Sequence, residues 1–352
     1  MQGRNVDSER RLRVGLIGCG FISARHGPAW LASADAELVA VCDQDVTKAR
    51  GQAAEWGIPA VYADAVAMLD QEQLDAVDIA TRPETHTMLV GMAAARGLHV
   101  LCQKPLASTL EEAAAMVDTC ERAGVRFMVN EMWRYLPPMT KMGELIRAGA
   151  TGPVHYLRYV WGRQAFRTPH QVFTDQPYFA AMPKLIVYEA MIHSVDAARS
   201  LVGEIETVYA HMARVSSGIL GEDMALVVLG HEGGVTSSHD ASWATPGGSP
   251  EQPQYAWCAE GRDGALDYSQ GTGELRLIDG HEVRVLERYP DWATPHQQAF
   301  NACIGHFANA VRCDEPFRSS ARDNLLTLGA TLAAYDSAAT GQVVRPQAWA
   351  TP

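Results

Sequence analysis

Short apolar runs alternate with polar, helix-compatible stretches along the first 130 residues. The apolar runs 13–17, 38–42, 76–80, 98–102 and 126–129 predict β-strands, and the stretches 22–33, 45–56, 85–96 and 109–123 predict helices. Strands that alternate with helices build a parallel sheet covered on both faces. Ligands of such sheets lie at the carboxyl ends of the strands. Thr81, Gln103, Lys104 and Asn130 each follow a strand end and are expected on one crevice. From about residue 133 the pattern changes. A helix over 138–148 is ended by Gly149 and Gly152, a strand covers 153–161, a polar and aromatic loop runs through 163–183, and a helix covers 186–202. Strand candidates 205–215, 224–231, 233–243, 255–260, 264–268 and 274–278 follow, separated by Gly-rich turns, and helices near 296–312 and 320–340 close the chain. Residues 246–253, rich in Pro and Gly, read as a mobile loop. A meander of this kind predicts a largely antiparallel sheet.

The first strand runs into Gly18-Cys19-Gly20-Phe21-Ile22-Ser23. Gly18 permits a tight turn, Gly20 lets backbone approach a pyrophosphate, and Ser23 stands where a dinucleotide fingerprint has its third small residue. The phosphates are then expected at the start of the helix, among N–H groups and the positive end of its dipole. The second strand ends in Asp43, near the spacing of an acid that binds ribose hydroxyls. An ordinary turn followed by a capping Asp is the bland alternative. The expected fold class is α/β: an amino-terminal Rossmann, doubly wound parallel sheet over 11–131, and a carboxy-terminal α+β domain over 132–352 with a large, mostly antiparallel sheet. Residues 1–10 are polar and are expected to be a flexible start without the apolar core of a signal peptide.

Of 352 residues, 47% are hydrophobic and 20% charged, enough for two domains with a sizeable core. The formal charge of −12 argues against broad binding of nucleic acid or an anionic membrane. Seven cysteines, none in a CxxC pair, fit a reducing cytoplasm rather than a disulfide framework.

Two further segments carry chemistry. Val100-Leu101-Cys102-Gln103-Lys104-Pro105 puts a lysine just past a buried strand, with Pro105 restricting its backbone. Lys104 reads either as a proton donor or acceptor, tuned by desolvation and a nearby positive nicotinamide, or as a strand-end surface lysine. In Glu189-Ala190-Met191-Ile192-His193-Ser194-Val195-Asp196, the four-residue spacing puts Glu189 and His193 on one helix face, with Asp196 a turn further on. The apolar surroundings predict that this face is buried. Acid–base and substrate-binding groups, metal ligands and a satisfied structural pair are three competing readings.

Taken together, these motifs resemble the Gfo/Idh/MocA family of nicotinamide-dependent oxidoreductases, over nearly the whole chain. Gly18-Cys19-Gly20 with Ser23 and His26 looks like the family's fingerprint. Ala80 to His86 looks like its nicotinamide-side loop, Gln103-Lys104-Pro105 like its Glu-Lys-Pro motif, and Glu189 to His193 like its Asp-x-x-x-His motif. Gln103 and Glu189 depart from those patterns: Gln103 removes a charge beside Lys104, and Glu189 is one methylene longer than Asp. Cys102 to Pro105, Gln176 to Phe179 and Ile192 to Asp196 look most like the branch that includes apiose-type pentose dehydrogenases.

The resemblance implies Lys104, Glu189 and His193 as the catalytic set, and a cis Lys104–Pro105 peptide. It implies NAD held by Gly18, Gly20, Phe21, Ile22, Asp43, Thr81, His86, Gln103 and Lys104, with no metal. Arg134, Trp161 and Arg163 join Glu189 and His193 as expected substrate contacts, and His170 borders the same loop. Arg134 reads equally as a structural arginine, and His86 equally as a helix cap. His26 is expected to pack under the first helix. The function implied is oxidation of a sugar or polyol hydroxyl, with hydride going to NAD and the proton to Lys104 or His193, in a cytoplasmic homodimer or homotetramer. Redox-assisted glycoside cleavage or sugar–sugar oxidoreduction with retained NAD is the alternative within the fold. A non-catalytic NAD-binding regulator and a metal-assisted hydrolase are alternatives of other classes.

Overall fold

The computed structural model describes residues 10–162, 176–245, 254–280 and 282–347, and every structural statement below concerns these. The chain divides into two compact units: Met1–Met132 with Gln297–Leu325, and Trp133–His296 with Leu326–Pro352.

In the first unit the strands are β1 (Leu12–Ile17), β2 (Ala36–Cys42), β3 (Ala60–Tyr62), β4 (Ala76–Ile79), β5 (His99–Cys102) and β6 (Phe127–Val129). They form one parallel sheet in the order β3-β2-β1-β4-β5-β6. The intervening helices are α1 (Ser23–Leu31), α2 (Val46–Trp56), α3 (Ala65–Gln71), α4 (Pro83–Ala94) and α5 (Leu110–Ala123). β4 and β5 are buried along their whole length, as strands of a parallel sheet covered on both faces are. The helix ends follow from local chemistry. Asp45 accepts the Thr47 N–H at 3.1 Å to start α2, and Gly57 at φ 71° ends it. Thr109 and Gly124 do the same for α5. Gly27 lets α1 lie directly on α2, because a Cβ there would stand 2.3 Å from the Trp56 ring. β3 and α3 were not expected from the sequence; one is three half-buried residues and the other seven residues long.

The second unit begins with α6 (Pro137–Arg147) and β7 (Val154–Gly162). The expected helix over 186–202 is in fact a π-turn, Ile186–Met191, running into α7 (Ile192–Val202). Strands β8 (Ile205–Ala213), β9 (Met224–His231), β10 (Thr236–Ser242), β11 (Gln254–Gly261), β12 (Ala265–Ser269), β13 (Glu274–Asp279) and β14 (Glu282–Arg288) complete a sheet in the order β14-β13-β12-β11-β7-β10-β9-β8. β7 and β10 are parallel and the remaining pairs antiparallel. Side chains alternate across it: Leu157, Tyr159 and Trp161 are buried, whereas Arg158 and Val160 face outward. β10 starts at Thr236 rather than 233, because Gly233 and Gly234 turn the chain at positive φ. β14 escaped the sequence pattern because most of it is exposed and does not alternate. Helices α8 (Ala293–Cys313) and α9 (Ala321–Thr340) follow. Among the described residues no helix is long and apolar enough to cross a membrane.

A run of buried hydrogen bonds fastens α7 to the sheet of the second unit. Ser194 Oγ lies 2.9 Å from His239 Nδ1, and His239 Nε2 lies 3.0 Å from Ser237 Oγ. Ser237 Oγ is 2.8 Å from His231 Nε2, whose Nδ1 meets the Gly203 carbonyl at 2.8 Å. Burial first, and neighbouring His231 second, lower the His239 pKa from 6.5 to about 3. The unfolded chain therefore binds a proton below 6.5 that the folded chain refuses, so this contribution to stability is present above 6.5 and is lost as pH falls toward about 3. The expected loss is roughly 1 kcal/mol per pH unit from this group. Urea unfolding across that range should show it, and His239→Gln should flatten the acid limb by about one proton; an unchanged slope would contradict the assignment.

Candidate active site

The strand ends of the first unit build a cradle. Gly18 sits at φ 102°, and a Cβ there would lie 2.8 Å from the carbonyl carbon and oxygen of Ala80. Only glycine lets β1 leave the sheet against the end of β4. At Gly20 the opposite holds: a Cβ would meet nothing within 4 Å, and Phe21 beside it is 54% exposed. Backbone is therefore open at the start of α1, just after Ile22, as a phosphate cradle requires. Asp43 is tied to the same turn. Its Oδ2 accepts the Cys19 N–H at 2.7 Å and its Oδ1 the Asp45 N–H at 2.8 Å, and the side chain stays half-exposed. Ser23 closes the turn by donating to the Gly20 carbonyl at 2.5 Å and accepting from Gln52 at 2.7 Å. Burial, followed by the charge of Asp43, pushes the Cys19 and Cys42 thiols up to about 12, so neither is a reactive thiolate.

Behind Lys104 lies a buried polar network. Asp78, an acid inside the apolar strand β4, accepts from Trp30 Nε1 at 2.6 Å and from His26 Nδ1 at 2.7 Å. His26 Nε2 faces the amides of Gln103 at 2.7 Å and Asn130 at 3.1 Å. Gln103 Oε1 in turn accepts the Lys104 backbone N–H at 2.9 Å, which fixes which end of its amide faces His26. His26 packs under α1 as expected, and its ring also lies 5.4 Å from that of Phe300. The Gln103 amide is turned inward onto His26 and the Lys104 backbone. The Lys104–Pro105 peptide is cis and Lys104 is half-exposed.

His86 lies between the loops after β4 and β5. It is fully buried, with Nδ1 3.1 Å from the Leu106 carbonyl and Nε2 3.2 Å from that of Thr81. Both ring nitrogens face backbone carbonyls, so His86 braces one loop against the other. Burial lowers its pKa and the carbonyls oppose that shift. Thr81 is half-exposed at the strand end and accepts from Thr85 Oγ1 at 2.7 Å.

In the second unit every residue from 185 to 199 is buried except Glu189 and His193. The sequence pattern predicted a buried pair; the structure makes these two side chains the openings of an otherwise buried segment. Trp133 lies flat on His193, with ring centroids 5.3 Å apart and planes 4° from parallel. Trp133 is itself packed by Tyr159 and Tyr255 at 5.9 and 5.5 Å. The stack sets the plane of the imidazole, and it was not foreseen, although Trp133 stood out beside Arg134. Asp196 does not join Glu189 and His193. It is fully buried, takes Arg134 Nε at 2.5 Å and Nη2 at 2.8 Å, and accepts from Thr327 at 2.8 Å. This bidentate pair is the structural role that the sequence offered for Arg134 as one of two readings. Among the described residues no group of three or more His, Cys, Asp or Glu is placed to hold a metal ion. Trp161 is buried on the inner face of β7, edge-on to Trp243 at 5.8 Å. Arg163 and His170 lie outside the described residues.

Comparison with known proteins agrees with this arrangement. Residues 12–131 match the oxidoreductase family with an NAD-binding Rossmann fold, and residues 139–266 match the Gfo/Idh/MocA C-terminal domain. The D-apiose dehydrogenase of Paraburkholderia graminis is 40% identical over 341 residues, covering 95% of this chain and 90% of that protein. That of Rhizobium rhizogenes is 35% identical over 340 residues, covering 95% and 97%. An oxidoreductase from Agrobacterium radiobacter, solved with NAD+, L-tartaric acid and magnesium, superposes with a TM-score of 0.88 at 33% identity, covering 96% of this chain and 98% of that one.

Asp43 makes the cofactor preference testable. A carboxylate there accepts from ribose hydroxyls and repels a 2′-phosphate. The unaltered protein is expected to turn over with a much higher kcat/KM for NAD than for NADP, and Asp43→Ser should shift that ratio toward NADP. Equal efficiency with both cofactors before mutation would refute this role.

Proposed function

The chain belongs to the Gfo/Idh/MocA family of NAD-binding oxidoreductases, and from that premise we propose that its substrate is a pentose-class sugar such as D-apiose, handled by Lys104, Glu189 and His193. It is an NAD-dependent oxidoreductase that acts on a CH–OH group of a sugar or polyol. The observation that carries the residue assignment is the exposure of Glu189 and His193 alone within a buried helical segment. The open backbone at Gly20 and the pinned carboxylate of Asp43 suit the adenosine and phosphate half of NAD. Bound NAD supplies the hydride acceptor. Lys104 or His193 takes the hydroxyl proton, and Glu189 orients His193 or holds a neighbouring hydroxyl. Trp133 keeps the imidazole in one plane, which lowers the entropy lost when substrate binds. The named activities of the relatives at 40% and 35% identity support the pentose class.

With NAD and a panel of pentoses, hexoses and polyols, reduced cofactor should accumulate with turnover, D-apiose being among the best substrates. Lys104→Ala and His193→Gln should each lower kcat by about 10²–10⁴-fold for the group that moves the proton, while the dissociation constant for NAD stays near that of the unaltered protein. Wild-type turnover in both variants would overturn the assignment. Product formed without net reduction of NAD would favour the redox-assisted alternative.

The outer face of the second sheet exposes Val160, Tyr209 and Leu226, each at 40%. We place self-association there, in a homodimer or homotetramer. Light scattering should give a mass of two or four chains, and Tyr209→Lys with Leu226→Lys should lower it; a monomer in the unaltered protein would refute the proposal. All seven cysteines are unpaired, which suits a reducing compartment, and we place the enzyme in the cytoplasm, a location that fractionation of the source cells tests.

A further inference from the structure

We propose that Glu222 and Tyr335 form a two-residue cap that holds the segment carrying Glu189 and His193, and that both are therefore positioning residues for the reaction; this rests on the roles given above to Glu189 and His193.

The argument is an account of backbone donors. A helix begins with N–H groups that have no partner inside it, and when buried they must find partners elsewhere. The segment from 185 to 188 is buried throughout. Leu185 and Val187 each donate to Glu222 Oε1 at 3.1 Å. Ile186, between them, donates to the Glu222 main-chain carbonyl at 3.1 Å. Tyr188 donates to the Tyr335 hydroxyl oxygen at 3.1 Å. Tyr335 passes its own hydrogen to Glu222 Oε1 at 2.6 Å, closing the pair. Glu189 is the first residue of the run to donate within the helix, to the Leu185 carbonyl at 2.8 Å. Four consecutive orphan donors are thus satisfied by two residues, and the next residue in the chain is the first open side chain of the site.

The neighbourhood is built for this contact. A Cβ at Gly221 would stand 2.7 Å from the Met182 carbonyl oxygen and 3.1 Å from the Leu185 nitrogen, so glycine lets the Glu222 loop reach the helix start. Leu220 donates to the Ala180 carbonyl at 2.9 Å, and Asp223 accepts from the backbone of Val215 and Ser216 at 2.6 and 3.1 Å, which fixes the loop from both sides. The π-turn has one residue more per turn than an α-helix, and such turns recur at functional sites. Here Glu222 and Tyr335 take its first donors and so fix where it begins. Burial raises the Glu222 carboxyl above its usual range, and the Tyr335 hydroxyl and the backbone donors pull it back. A buried carboxylate with this many donors on one oxygen is placed to aim a helix and is too enclosed to meet substrate.

The test compares Tyr335→Phe, Glu222→Gln and Glu222→Ala with His193→Gln in the full chain. Steady-state kinetics with NAD and the best sugar of the panel, NAD affinity by fluorescence titration and near-UV circular dichroism are measured on each. Tyr335→Phe deletes only a hydroxyl and should keep the fold. Misplacing a reacting group by about an ångström costs up to about a hundredfold, so Tyr335→Phe and Glu222→Ala are expected to lose roughly ten- to a hundredfold in kcat, with NAD affinity unchanged. Glu222→Gln keeps the acceptor oxygen and should recover most of the loss. Wild-type kcat in Tyr335→Phe, a Gln variant as slow as the Ala variant, or NAD affinity falling in step with kcat would each overturn the proposal. If Glu222→Ala does not fold, Tyr335→Phe and Glu222→Gln still decide it. Wild-type turnover in His193→Gln instead overturns the reading on which the proposal rests, whereas a slow His193→Gln beside a wild-type Tyr335→Phe overturns only the cap.

Discussion

A buried polar group must be paired or it costs more than most single contacts contribute. That constraint shapes the surroundings of Lys104 and of the segment carrying Glu189 and His193. In the first unit, Asp78 is an acid with no exposure at all in the middle of the sheet. It is answered by Trp30 and His26, His26 by Gln103 and Asn130, and Gln103 by the Lys104 backbone. Lys104 is thus positioned from below by residues that never reach solvent. In the second unit the equivalent demand comes from backbone donors at the start of a helix, and again the partners are buried. His193 adds a third device, a flat stack on Trp133 that fixes one plane without using either ring nitrogen.

Much of this was legible along the chain, for physical reasons that operate locally. The tight turn at Gly18 was legible because its positive φ and close approach to Ala80 need glycine, and Asp43 lies at that turn because its strand delivers it there. The alternation of strand and helix in the first 130 residues yields five of the six strands because those strands are mostly apolar, whereas β3 is three half-buried residues. The spacing of Glu189 and His193 survives the change from α-helix to π-turn, since residues four apart stay on nearly the same side in both.

What escaped was set by distant partners. The first donors of the π-turn are met by Glu222, 37 residues from Leu185, and by Tyr335, 147 residues from Tyr188, and neither leaves a mark on the local pattern. For Arg134 and His86 the sequence left a ligand contact and a structural role equally open. Where such side chains point is decided by Asp196 in one case and by the Thr81 and Leu106 carbonyls in the other. Asp78 did leave a trace, a charge inside Ala-Val-Asp-Ile, and a lone acid in a core strand is a signal that a buried donor waits nearby.

The Gln103 side chain has an electrical consequence as well as a steric one. An amide at neutral pH hands on hydrogen-bond direction but neither accepts nor releases a proton. The chain from Asp78 through His26 ends at Gln103 and a peptide N–H, so it cannot conduct. Beneath the Lys104 backbone, that run of contacts therefore carries direction but no proton. Where a carboxylic acid occupies the Gln103 position, the same chain of contacts gains a titrating member and the interior becomes a possible proton reservoir. One amide in place of one acid therefore leaves the Lys104 backbone supported without adding a titrating group beside it.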